Sequence, residues 1–127
     1  MPKKYRIHIL TVSYSLCLAV ASLMRIKDDA IPDIKFQDKV VHFMAYAVLC
    51  LLVFLSLHVK KINKSRYYAA LIAFMFGTII ELLQGITTNA RVSDALDILA
   101  NTLGILTMSL VLYWKRQTLV KNLQTFM

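Results

Sequence analysis

Four long apolar runs, at residues 7–24, 40–59, 67–83 and 98–114, constrain this chain more than any other feature. Each approaches the roughly 17 to 25 residues needed to cross a hydrocarbon layer about 30 Å thick. In lipid, every backbone N–H and C=O must be satisfied within the protein, so a spanning segment is either a helix or a strand of a closed barrel. Barrel strands alternate polar and apolar residues over about 10 positions. These runs do not alternate. They predict an all-α fold, a polytopic membrane protein whose four helices form one transmembrane bundle, a single domain over residues 1–127. Composition excludes the rival classes. With 58% hydrophobic and 17% charged residues and a mean hydropathy of +0.61, the chain is too apolar for an ordinary soluble surface and far too apolar for disorder. The connections carry helix breakers: Asp28, Asp29 and Pro32 after the first run, Asn63 and Ser65 after the second, Gly85 and Asn89 after the third.

The net charge of +8 would suit nucleic acid only if the basic residues shared one solvated face. Instead the spans divide them. Lys3, Lys4, Arg6, Lys60, Lys61, Lys64, Arg66, Lys115, Arg116 and Lys121, ten of the 15, fall on one side, and all seven acids fall on or towards the other. Cytoplasmic loops are enriched in Lys and Arg, so both termini and the middle loop are expected in the cytoplasm and the first and third loops outside. Tyr67, Tyr68, Tyr113 and Trp114 fit interfacial aromatic belts. Lys3, Lys4 and Arg6 ahead of an apolar stretch ending in Ala19-Val20-Ala21 also fit a signal peptide, whose removal would leave three spans. Cys17 and Cys50 lie inside apolar runs, which predicts two small buried hydrophobes rather than a disulfide or a metal cluster. The polar stretch 115–127 reads as a short cytoplasmic helix or a frayed end.

Ionisable residues inside a span cost about 2.5 to 3.5 kcal/mol at a helix centre, which makes each a candidate for function. Here they form stripes. Asp38, His42 and Tyr46 recur at i, i+4, i+8; Gly77, Glu81 and Gln84 share a face of the third span; Asp94, Asp97, Asn101 and Gly104 share a face of the fourth. All three stripes lie at the outer ends of their helices. Antiparallel neighbours carrying polar groups at one depth satisfy one another by converging, which predicts a polar pocket just below the outer headgroups, roofed by the loop that holds Arg91. Gly77 and Gly104 would permit close helix approach there. Purely structural roles are open to the same residues. Asp38 could cap the second helix and Ser93 or Asp94 the fourth; Lys39 could snorkel; Tyr46 could pack. His42 could pair with Glu81 or Asp97 to fix register, and Arg91 could neutralise either acid.

Asp38-Lys39-x-x-His42-Phe43-x-x-Tyr46, then Glu81-x-x-Gln84, then Arg91 followed by Asp97-x-x-x-Asn101-x-x-Gly104, together resemble the VanZ-like family of small bacterial membrane proteins. The resemblance runs from about Asp38 to Gly104, with the first span consistent in position. It implies about four transmembrane helices, placement in the bacterial cytoplasmic membrane, and characteristic polar positions at Asp38, Lys39, His42, Glu81, Gln84, Arg91, Asp97 and Asn101. The family's namesake is associated with low-level resistance to the glycopeptide teicoplanin, so the resemblance names a family without naming a reaction. Two departures, Cys50 in place of a small glycine and Asn89-Ala90 in place of a Pro-Gly-like turn, bear on the loop geometry more than on the pocket.

Two classes of function fit. In the first, Arg91, Lys39 and His42 donate to an anionic headgroup of a membrane lipid or lipid-linked envelope precursor while the acids hold them in place. The ligand-binding set is then Asp38, Lys39, His42, Tyr46, Glu81, Gln84, Arg91, Asp97 and Asn101, with no cofactor and no nucleic-acid partner. Arg suits phosphate because its planar fork donates two parallel bonds. In the second, His42, Glu81 and Asp97 are an acid–base set, or a metal site better suited to Mg²⁺ or Mn²⁺ than Zn²⁺, for hydrolysis or transfer on a lipid-linked phosphate. No HxxxH, CxxC or nucleophile-elbow motif accompanies them, and no metal site is assigned. A transporter or scaffold is a third class. Four spans are few for a substrate path unless copies assemble into a homo-oligomer, and no inverted repeat is visible.

Overall fold

The computed structural model describes residues 3–24, 35–87 and 95–123. They form four helices, α1 (Lys3–Met24), α2 (Lys35–Val59), α3 (Ser65–Thr87) and α4 (Ala95–Leu123), with no strand among the described residues. Each contains a window long and apolar enough to cross a membrane. The expected all-helical class and the four spans are therefore present, but the helices outrun the apolar runs. Lys, Arg and Gln are good helix formers, so the backbone continues where hydropathy falls. The largest extension is in α4, which carries on through Lys115 to Leu123 as one helix rather than ending near Trp114 in a separate helix or frayed tail. Leu119, Val120 and Leu123 pack against the core and hold that extension in place. Gly85 does not break α3, which runs to Thr87. Asp38 lies beyond the start of α2 at Lys35 and so is not its N-cap.

Contacts along the helices fix the topology. Thr11 meets Ser56 while Tyr14 meets Ala45, so α1 runs antiparallel to α2. Arg66 meets Ser109 while Gly77 sits by Asn101, so α3 runs antiparallel to α4. Between them, Lys39 meets Asp97 and His42 meets Asn101, which makes α2 and α4 parallel. That parallel pair is the most extensive helix contact in the bundle. α2 is the central helix, with Tyr46, Leu49, Cys50 and Phe54 almost wholly buried. Large apolar side chains on the outside, among them Leu16, Met75 and Leu106, are exposed as lipid-facing residues would be.

The α2–α3 turn is short because α2 ends in a Schellman cap. Lys61 N–H donates to His58 O (2.9 Å) and Ile62 N–H to Leu57 O (3.2 Å), with Lys61 at φ 57°. This left-handed position usually takes glycine. Arg66, in the first turn of α3, then reaches α4, where its guanidinium donates towards Ser109 and lies 5.0 Å from the centre of the Tyr113 ring.

α1 is the peripheral helix, and polar contacts tie it down. Thr11 Oγ1 lies 2.7 Å from Ile7 O, 3.2 Å from Leu52 O and 2.7 Å from Ser56 Oγ. Tyr14 donates to Ala45 O at 2.6 Å. The peripheral position also corrects one expectation: Cys50 is fully buried, but Cys17 is exposed, because the face of α1 that carries it turns away from α2 and α3. Interhelical hydrogen bonds in membranes contribute about 0.6 kcal/mol on average. A double-mutant cycle of Thr11→Val and Ser56→Ala, read by unfolding in mixed micelles, should therefore give a coupling near that value; a coupling of zero would remove the pair as a tether.

Candidate functional site

The first half of α2 puts Lys39, His42, Phe43 and Tyr46 towards α4 and α3, since positions three and four apart share a helical face. His42 and Tyr46 are buried and their rings stack, 6.5 Å apart with planes 9° from parallel. Beyond Tyr46, Phe76 of α3 closes the stack at 6.4 Å. The imidazole is thereby fixed in orientation before any polar partner is considered.

α4 brings the partners. Asp97 is completely buried and bonds the Lys39 ammonium. One turn on, about 6 Å deeper along the helix, Asn101 accepts a hydrogen bond from His42 Nδ1 at 3.1 Å. The other ring nitrogen, Nε2, faces Asp97 Oδ2 at 3.9 Å. His42 is thus held between an amide and a carboxylate, and a proton added at Nε2 would share its charge with Asp97. Lys39, at 23% side-chain exposure, is the open edge of this group, whereas the Asp97 side chain is wholly enclosed.

Two glycines set how close the helices come. A Cβ on Gly104 would lie 3.0 Å from the Phe43 carbonyl carbon and 3.2 Å from its Cα, with the carbonyl oxygen nearer still. The backbones of α2 and α4 touch there. A Cβ on Gly77 would lie 2.8 Å from Tyr46 Cε1 and 3.1 Å from Asn101 Nδ2, so α3 closes over the same group. One turn from Gly77, Glu81 is buried and within electrostatic reach of Tyr46.

The structure therefore joins Lys39, His42, Tyr46, Asp97 and Asn101 in direct contact or stacking, with Glu81 buried at the same end. The sequence reading of Arg91 and Asp94, and of the side chains of Asp38 and Gln84, lies outside the described residues. Phe43 stands in the sequence motif but was not among the expected site residues, because its contact with Gly104 is made by its backbone. Phe76 was likewise hidden in an apolar run. Among the described residues, no three His, Cys, Asp or Glu side chains are grouped to hold a metal ion. Chemically, the arrangement offers a cation at the surface, an oriented imidazole beneath it and a carboxylate bonded to the cation and 3.9 Å from the imidazole.

A family model described as VanZ/LLP1 matches residues 4–116 of the 127-residue chain. No curated protein and no solved structure matches it.

Proposed function

We propose, from the premise that this chain belongs to the VanZ/LLP1 family, that its polar cluster engages the phosphate-bearing headgroup of an envelope lipid or lipid-linked precursor and alters how that lipid is presented. The observation that supports this reading is the gathering of Lys39, His42, Asp97, Asn101 and Glu81 at one end of the bundle. A helix register could be fixed with far fewer buried ionisable groups, each costly in a membrane. Lys39, at the open edge, is the group an anion would meet first, and Asp97 and His42 behind it hold the charge balance while it shifts from carboxylate to phosphate. Arg91 joins this set from the sequence, as a bidentate phosphate donor.

On the distribution of Lys and Arg, the cluster faces the outer leaflet of a bacterial cytoplasmic membrane. Teicoplanin is a lipid-tailed drug that works at that surface, so altered lipid or precursor presentation would lower its access. The test compares teicoplanin susceptibility of cells expressing wild type, His42→Ala, Glu81→Gln, Arg91→Ala and Asp97→Asn, with membrane abundance measured for each. Protection by wild type that the variants lose at equal abundance is the expected result. Full protection by all four variants would overturn the reading.

The His42–Asp97 contact of 3.9 Å favours a second reading, in which the imidazole acts as acid or base on a lipid-linked phosphate. Purified protein would then release phosphate or headgroup from such a lipid. His42→Gln should lower that turnover by about 10²-fold or more, the usual contribution of a positioned acid–base group, with binding little changed. No turnover by wild type leaves binding alone.

A further inference from the structure

Every Asp and Glu in the chain falls within positions 28–38, at 81, or at 94 and 97. The end of the bundle where α2 finishes and α4 terminates therefore has no acidic side chain from α2, the α2–α3 turn or the second half of α4. Its cations are nonetheless numerous: Lys60, Lys61 and Lys64 on the turn, and Lys115, Arg116 and Lys121 on α4, all exposed. This end of the bundle is therefore strongly positive.

A cavity of about 480 Å³ opens at this end, lined by His58, Arg116, Gln117, Val120 and Lys121. The α4 residues stand at i, i+1, i+4 and i+5, one face of the helix, and they point across at the last turn of α2. Two of the five lining residues, His58 and Val120, are held by packing. Phe54 stacks on the His58 ring at 5.5 Å and fixes it, and Val120 with Leu119 and Leu123 is packed against the core. Depth also matters. α4 has 29 residues, about 44 Å at 1.5 Å per residue, against a hydrocarbon layer of about 30 Å. On that length its last turns, which carry the cavity, would reach past the acyl chains to headgroup level.

We propose that this cavity is a second ligand site, distinct from the Lys39–Asp97 cluster at the opposite end, and that it takes the phosphate group of an anionic phospholipid from the adjoining leaflet. Arg116 donates to the phosphate oxygens as a fork, Lys121 adds a point charge, and His58 and Gln117 supply further donors. Val120 is the apolar wall against which the glycerol backbone rests. The site would anchor the extended end of α4 to the membrane surface in proportion to the leaflet's anionic content.

The test is lipid retention by the full chain in nanodiscs of phosphatidylcholine doped with phosphatidylglycerol, read by native mass spectrometry and checked against a melting curve for each variant. Wild type should retain phosphatidylglycerol over phosphatidylcholine. Arg116→Gln with Lys121→Gln should weaken that retention about tenfold or more, while Lys60→Gln with Lys61→Gln, the same loss of charge outside the cavity, should change it less than about threefold. Arg116→Lys keeps the charge but loses the fork, and an intermediate weakening is expected; this milder variant carries the test if the double one does not accumulate. A final arm adds inorganic phosphate. Retention that it cannot displace assigns the ligand to the lipid, and displacement assigns it to soluble phosphate; both uphold phosphate recognition. Equal retention by wild type and the cavity variants, or an equal loss in the Lys60 and Lys61 control, overturns the site.

Discussion

Gly104→Ala is expected to destabilise the bundle by about 3 kcal/mol, the upper range for forcing an extra methyl into a packed interior. In an exposed helix interior, the same change stabilises by about 1 kcal/mol, so the sign is as telling as the size. The reason is what the methyl would meet. At Gly104 the obstacle is the Phe43 backbone, which cannot turn aside as a side chain does, so α2 and α4 must separate. The His42–Asn101 bond, one turn away, would open with them. Gly77→Ala meets the Tyr46 ring and the Asn101 amide instead, and should cost less because those groups have some freedom. Unfolding in mixed micelles, followed by circular dichroism, measures both. A Gly104→Ala curve that overlays wild type would mean that the α2–α4 backbone contact is not present in the membrane.

Asp97→Ala should be comparably damaging. Removing one partner of a buried ion pair typically costs about 3 to 5 kcal/mol, because the remaining charge keeps its desolvation penalty. The low end, about 3 kcal/mol, is expected here, since Lys39 is 23% exposed and can swing its ammonium towards the headgroups. Asp97→Asn keeps the shape and some hydrogen bonding and should cost less. Combining Asp97→Leu with Lys39→Met should recover much of the loss in stability while leaving teicoplanin protection abolished. That split separates the two roles of the cluster: recovery of both stability and protection in the double variant would make the cluster a folding device only.

The sequence carried the number of spans and the polar stripes because both rest on one-dimensional regularities. A long apolar run means a span wherever it occurs, and His42 and Tyr46, like Asp97 and Asn101, announce their shared faces by spacing. What it did not carry depends on neighbours. Leu119 and Val120 keep α4 helical past the apolar run through contacts with the core, and local composition around Lys115 and Arg116 suggests an end instead. Cys17 and Cys50 sit in equally apolar surroundings along the chain, yet only the central helix buries its cysteine. The tightest contact of the bundle, Phe43 against Gly104, involves a carbonyl that every residue possesses.

The parallel pairing of α2 with α4 also sets an order of events during synthesis. Lys39 lies 58 residues before Asp97, and His42 lies 59 before Asn101. A ribosome therefore delivers α2 to the membrane, with its ammonium and imidazole, well before their α4 partners exist. Until α4 inserts, those groups lack Asp97 and Asn101. The last helix completes the site, and a nascent chain stalled before Asp97 would expose the kind of polar intramembrane surface by which quality-control proteases could recognise unfinished membrane proteins.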